Sequence, residues 1–263
     1  MKYPKKVTEY IINWLKKYLK ESKLEGFVVG VSGGIDSAVT SKLCALSGLP
    51  VYLVEMPINQ EENQVARAHK HMNLLKEEFI NVNLISTSLT QVFNTFKDEL
   101  KKNNIGDLDQ HSLANSRARL RMTTLYYYAG YYKSLVVGTG NKVEDFGIGF
   151  YTKYGDGGVD ISPIADLLKS EVFSIGRYLR ITNKILEAKP TDGLWDDNRT
   201  DEEQMGINYD EIEEAMRLIR DEVPDNELDV DQKKARNIYT KLNEQNRHKM
   251  TPIPLCEIPK GLL

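Results

Sequence analysis

The segment that most constrains this chain is Ser32-Gly33-Gly34-Ile35-Asp36-Ser37. It follows the apolar run Phe27-Val28-Val29-Gly30-Val31 and precedes a helical pattern beginning Ala38-Val39-Thr40-Ser41-Lys42-Leu43. A strand, a Gly-rich turn and a helix in that order form a phosphate cradle. The glycines let backbone N–H groups approach an anion, and the helix N-terminus adds partial positive charge. Asp36 adds a second demand. A carboxylate beside a bound phosphate repels it unless a divalent cation lies between them, so the loop implies a metal–phosphate complex. A ligand-free turn would not need two hydroxyls, two glycines and an acid together.

The rest of the pattern alternates in the same way. Helical spacing covers 7–20, about 37–46, about 61–78, 89–101, 112–132 and the stretch from Lys169 to about 180. Strands are expected at 27–31, 51–54, 82–85 and 135–138. Near-continuous apolar strands between helices predict an α/β fold, a doubly wound, mainly parallel sheet with helices on both faces. Ligands of such sheets bind at the carboxyl ends of the strands, here near Ser32 and Thr139. The acidic stretch 191–210 reads as a mobile surface loop, and Asn103-Asn104-Ile105-Gly106 as a connecting loop.

The bulk properties exclude several classes. The chain has 263 residues, 41% hydrophobic and 28% charged, and a net charge of -3, which leaves no strong nucleic-acid footprint. Its two cysteines, Cys44 and Cys256, are too few for a disulfide scaffold and predict a reducing compartment. No apolar run reaches membrane-spanning length and the start has no apolar signal region, so a cytoplasmic protein of one domain over 1–263 is expected. Asn198-Arg199-Thr200 has glycosylation spacing but, without a secretion signal, no expected role.

Four further segments carry chemistry. Arg117, Arg119 and Arg121 alternate along a helix and offer guanidinium forks for phosphate or carboxylate. Gly138-Thr139-Gly140-Asn141-Lys142-Val143-Glu144 follows a strand, and Glu144 offers a second oxygen ligand to a cation held by Asp36. The stretch from Tyr151 to Asp160 sets Lys153, Asp156 and Asp160 among glycines. Lys169 opens a helix, where the dipole disfavours a cation unless an anion is near.

The first loop is neither a Walker A motif nor a dinucleotide fingerprint. It resembles the SGGxDS loop of the N-type ATP pyrophosphatases, which cleave ATP to AMP and pyrophosphate while adenylating a substrate oxygen. The order SGGIDS, N-x-x-A-R-x-R, GT, E, TKYGDGG, LLKSEV, Pro-Thr and a C-terminal His-Lys narrows the resemblance to ammonia-dependent NAD synthetase, over residues 27 to about 250. The resemblance implies a five-stranded sheet of the adenine nucleotide α-hydrolase type and the conversion of deamido-NAD, ATP and ammonia to NAD, AMP and pyrophosphate. It implies that Ser32, Gly33, Gly34, Asp36, Ser37, Thr139, Lys169 and Thr191 contact ATP, and that Asp36 and Glu144 hold Mg²⁺. Arg119, Lys153, Asp160, His248 and Lys249 are implied as deamido-NAD contacts. Asp156 matches the acid near the ammonia site and, with Lys169 and Asp36, is assigned to the chemistry. The family's dimers predict a homodimer through helix 112–132, whose Tyr126, Tyr127, Tyr128, Tyr131 and Tyr132 exceed what one sheet face covers.

Two departures stand out. The segment Glu55-Met56-Pro57-Ile58-Asn59-Gln60-Glu61-Glu62 replaces the family's Arg-x-Pro-Tyr-Gly region, and Pro190-Thr191-Asp192 replaces Pro-Thr-Ala or Pro-Ser-Ala. Competing classes are the tRNA thiolases, which need reactive cysteines and a basic surface, and a non-catalytic nucleotide-binding protein, which needs no set such as Glu144, Lys153, Asp156 and Lys169. A glutamine-dependent enzyme needs an added amidase domain, so free ammonia is the expected nitrogen source.

Overall fold

A computed structural model describes residues 1–102, 108–191, 193–194 and 200–262. Four strands, β1 (Gly26–Gly30), β2 (Val51–Glu55), β3 (Val82–Ser86) and β4 (Ser134–Val137), form one parallel sheet in the order β3-β2-β1-β4. Helices α1 (Pro4–Ser22), α2 (Ile35–Leu46) and α3 (Glu62–Glu78) alternate with the first three strands. Then α4 (Thr90–Lys101) and α5 (Gln110–Tyr131) return the chain to β4, on the other side of β1. The winding therefore reverses between β1 and β4, and a crevice opens at their carboxyl ends.

Side-chain alternation in β1 explains the two covered faces. Phe27 and Val29 join a core with Leu15, Leu43 and Met72 from α1, α2 and α3, and with Ile175. Val28, between them, points the other way and packs with Val54, Phe93, Leu113 and Ala129, under α4 and α5. A parallel sheet covered on both sides has no face left for polar alternation, which is why these strands read as apolar runs.

The sheet has four strands where the family resemblance implies five. Ile161 makes only a single parallel bridge to Val137, anchored by a 2.7 Å bond from the Gly138 N–H to the Ile161 carbonyl. Pro163 follows at once; it lacks an N–H and restricts Ser162, so the ladder stops there.

After β4 the chain makes a π-helical turn (Val143–Ile148), then α6 (Lys169–Tyr178), α7 (Asn183–Leu186), α8 (Asp201–Met205), α9 (Tyr209–Arg220) and α10 (Val230–Met250). The C-terminal part of the expected 191–210 surface loop is in fact built structure. Met205, Ile207 and Tyr209 are buried with Val143, Ile148 and Ile212 in a third apolar cluster. Thr200 caps α8, its hydroxyl accepting from the Glu203 N–H at 3.2 Å and Glu203 answering the Thr200 N–H at 2.7 Å. Acidic composition masked this helix, because acids in a first turn are what a helix N-terminus favours. The 103–106 loop, Asp192 and the Asn198-Arg199 part of the sequon lie outside the described residues. No described helix is long and apolar enough to cross a membrane.

Candidate active site

The loop after β1 is organised by its own hydroxyls. The Ser37 hydroxyl donates to the Gly34 carbonyl at 3.0 Å and accepts from the Ser32 N–H at 3.2 Å. Ser32 Oγ lies 3.1 Å from Ser37 Oγ and accepts from the Gly34 N–H at 3.3 Å. Gly33 has φ +84°, and a Cβ there would meet the Gln64 carbonyl oxygen at 2.8 Å and the Ala68 nitrogen at 3.1 Å, so only glycine lets α3 approach this closely. Gly34 caps α2 in extended conformation, which aims the first N–H groups of that helix into the crevice.

Asp36, in the first turn of α2, enters a charge cluster assembled from four distant segments. Its Oδ1 accepts from Asn141 Nδ2 at 3.0 Å and its Oδ2 from Lys169 Nζ at 2.7 Å. The same ammonium donates to Glu144 Oε1 at 2.8 Å. The Tyr209 hydroxyl donates to that Glu144 oxygen at 2.6 Å. Asn141 is fully buried, and its Oδ1 accepts from the Val143 and Glu144 N–H groups, each at 3.1 Å, fixing the turn that presents Glu144. Lys169, the first residue of α6, is 3% exposed. The cation that looked misplaced at a helix start is thus compensated by two carboxylates.

The electrostatics follow from burial and from this one ammonium. Burial, opposed by Lys169 and reinforced by the Glu144 charge, raises the Asp36 carboxyl above its ordinary range. Glu144 is subject to the same burial, but Lys169 and the bonds it receives outweigh it and leave its carboxyl low. Burial by itself would lower Lys169; Asp36 and Glu144 reverse that and keep it firmly protonated. Asp145 is raised well above the carboxylate range by burial and by the charges of Glu144, Asp156 and Asp36. Acids therefore outnumber the ammonium at this end of the crevice, an arrangement that favours a further cation.

The crevice encloses a cavity of about 260 Å³, lined among others by Ser32, Gly34, Asp36, Ser37, Thr139, Glu144, Asp156, Lys169 and Thr191. Nine of the residues expected in the site are thus brought together. Asp156 Oδ1 accepts from the Thr152 N–H at 3.0 Å, and Thr191 Oγ1 from the Gly193 N–H at 3.3 Å. Gly140 lies flat against Asp145, whose carboxylate a Cβ there would overlap.

The residues expected to contact deamido-NAD sit apart from that lining, and Arg119, Lys153 and His248 among them are linked in a chain. Arg119 is exposed and its Nε donates to the Lys153 carbonyl at 3.3 Å. Lys153 Nζ donates to the His248 carbonyl at 2.7 Å. Lys249 Nζ donates to the carbonyls of Gly149 and Tyr151, both at 2.9 Å. Asp160 accepts from the Tyr126 hydroxyl at 2.9 Å and from the Val136 N–H at 2.8 Å, which ties α5 to β4. Of the three alternating arginines, Arg121 lines the cavity, its Nε bonded to the Met56 carbonyl at 3.1 Å, whereas Arg117 is buried against Phe93 and Leu194.

Three participants had no role assigned from sequence. Asn141 stood within a quoted motif, and its position directly after Gly138-Thr139-Gly140 was the available signal. Asp145 follows Glu144 directly. Tyr209 had no signal, since it reaches Glu144 from a segment 65 residues away.

The family model for NAD synthase matches residues 7–253. The chain belongs to the NAD synthase family. The NH(3)-dependent NAD(+) synthetase of Archaeoglobus fulgidus is 36% identical over 257 residues, covering 96% of this chain and 97% of the relative. Among solved structures, an NMN synthetase from Francisella tularensis is 32% identical with a TM-score of 0.83, covering 98% of each chain. An NH3-dependent NAD synthetase from Campylobacter jejuni is 26% identical with a TM-score of 0.76, covering 97% of this chain and 99% of the other. Membership of this family implies ATP as a substrate.

Proposed function

We propose that this chain is an ammonia-dependent ligase that amidates deamido-NAD to NAD at the expense of ATP, by way of an adenylated nicotinate carboxylate. The observation that carries the proposal is the Asp36–Lys169–Glu144 cluster beside the phosphate loop, in a chain similar to NH(3)-dependent NAD(+) synthetases along nearly its whole length. The loop N–H groups, Ser32, Thr139, Lys169 and Thr191 bind the ATP phosphates. The nicotinate carboxylate attacks the α-phosphorus and pyrophosphate leaves, its growing negative charge met by Lys169 and the first N–H groups of α2. Ammonia then attacks the mixed anhydride and AMP leaves.

Asp36 and Glu144 are hard oxygen donors, and they suit Mg²⁺ shared with a polyphosphate. Mg²⁺ takes one or two carboxylates and fills its shell with phosphate and water, so these two acids suffice to hold it. Bound there, Mg²⁺ supplies charge neutralisation for the leaving pyrophosphate. Asp156 faces the same cavity as the phosphate residues; in this reading it binds ammonium and takes its proton, since ammonium dominates at neutral pH. Arg119, Lys153, Asp160, His248 and Lys249 form the rim that receives the dinucleotide.

The enzyme acts as a homodimer through α5. Tyr128 and Tyr132 are used within the protomer, bonded to Thr87 at 2.7 Å and stacked on Tyr52, whereas Tyr127 and Tyr131 remain 68% and 71% exposed. Tyr127→Glu with Tyr131→Glu is expected to give a monomer in sedimentation. A cytoplasmic setting accords with Cys44 and Cys256 standing as separate thiols.

A second reading rests on the Francisella NMN synthetase likeness: amidation of nicotinate mononucleotide in place of the dinucleotide. One experiment tests both. The protein is incubated with ATP and Mg²⁺, with deamido-NAD or nicotinate mononucleotide, and with ammonium or glutamine, and products are identified by mass. NAD, AMP and pyrophosphate from deamido-NAD with ammonium alone is the expected outcome. Product from the mononucleotide only would select the second reading, and no AMP from either substrate would overturn both.

A further inference from the structure

We infer that Tyr209 is a positioning residue for the metal–phosphate step, acting through Glu144; the inference rests on the reading of Asp36 and Glu144 as cation ligands. Glu144 lies in the π-helical turn Val143–Ile148, a widened turn without the regular support of an α-helix. Asn141 fixes the backbone of that turn, and Lys169 and Tyr209 donate to the Glu144 oxygen that faces the cluster. Lys169 does not direct it alone, because its ammonium is shared with Asp36 at 2.7 Å.

Tyr209 is the rigid partner. Its ring is packed in the third apolar cluster with Val143 and Ile212. Its N–H donates to Glu202 Oε1 at 3.1 Å, and the Asn208 side chain before it caps α9 by accepting from the Glu211 N–H at 2.9 Å. A side chain with two rotatable bonds, held at both ends, therefore sets the direction of the Glu144 carboxylate. The same ring lies 4.7 Å beneath the Lys169 ammonium, so one residue orients both the carboxylate and the cation beside it. Asp201 Oδ2, 3.3 Å from the hydroxyl, offers a second acceptor, so the buried O–H keeps a partner if Glu144 rotates toward a ligand. Carboxylate ligands of metals are commonly held by such hydrogen bonds, and removing them costs about 10–100-fold in metal affinity.

The test uses Tyr209→Phe, which keeps the ring and deletes the hydroxyl. Two quantities are measured: the Mg²⁺ concentration giving half-maximal pyrophosphate release, and Mn²⁺ binding by electron paramagnetic resonance with a non-hydrolysable ATP analogue. Both are expected to weaken by about tenfold or more, while the KM for ammonium is unchanged. In a Glu144→Gln background the same substitution is expected to shift Mn²⁺ binding no further, because the two act as one unit. Unchanged metal dependence, or a shift that adds in full to that of Glu144→Gln, would overturn the inference. If Tyr209→Phe does not fold, 3-fluorotyrosine at 209, a stronger donor of the same shape, is expected to tighten Mn²⁺ binding; no tightening would count against the proposal. A wild type that never releases pyrophosphate overturns the functional reading instead, so the two failures are distinguishable.

Discussion

The inner end of the crevice and its rim both carry lysines, yet use them in opposite ways. At the inner end Lys169 is buried and its donors go to side-chain carboxylates, Asp36 and Glu144, at 2.7 and 2.8 Å. At the rim Lys153 and Lys249 donate to backbone carbonyls of His248, Gly149 and Tyr151. A buried ion cluster is costly to disturb, because an unpaired charge left in low dielectric has no water to turn to. Lys153, whose bond to the His248 carbonyl lies at the surface, exchanges that partner for water or a ligand at little cost, while Lys249 is half-buried. The inner end is thus pre-organised for phosphate charge, and the rim is adaptable enough to receive a large substrate.

The largest effect that would break this contrast is expected at Lys169. Lys169→Met removes the cluster's central cation and should lower pyrophosphate release by about 10²–10³-fold, and unfolding stability by about 3 kcal/mol. Stopped assays of pyrophosphate and urea denaturation measure the two. A stable, active variant would mean the carboxylates need no internal cation.

A smaller effect is expected at the rim. Lys153→Ala should raise the KM for deamido-NAD by about tenfold, the value of one charge-assisted contact, and leave the urea midpoint unchanged. Loss of stability there would show that the rim is built like the inner end.

A third group, remote from both, supplies a baseline with no effect on catalysis. His71 is buried behind α2 and bonded to Ser41 Oγ at 2.9 Å, and burial, helped by the Lys42 charge, lowers its pKa to about 4. The unfolded chain takes up this proton near pH 6.5, the folded chain only near 4, so stability is full above 6.5 and falls as pH drops toward 4. The loss amounts to about 3 kcal/mol by pH 4. Denaturation midpoints between pH 7 and 4 should show it in the wild type and not in His71→Gln.

Local features were the ones legible in the sequence. The apolar runs of β1, β2 and β4 and the Ser32–Ser37 turn are contiguous, so each announces itself in a few residues. Lys169 was legible for a different reason, a cation at a helix start that needed explanation. What escaped was set by distance or by mixed signals. Tyr209 reaches Glu144 across 65 residues, and no periodicity records such a meeting. The residues 200–210 read as loop because their acids, which favour a helix start, outweighed Met205, Ile207 and Tyr209 in composition. The fifth strand implied by the resemblance shrinks to the Val137–Ile161 bridge because Pro163 follows it. Among the alternating arginines, helical spacing alone did not distinguish Arg121, which lines the cavity, from the exposed Arg119.

The central claim is that phosphate chemistry and nitrogen chemistry use different groups of one crevice. Exchange of labelled pyrophosphate into ATP, with deamido-NAD present and ammonium absent, isolates the first. Asp156→Asn is expected to exchange pyrophosphate within about threefold of wild type while its amide formation falls by about a hundredfold. Exchange lost in parallel with amide formation would contradict the claim and put Asp156 among the phosphate residues.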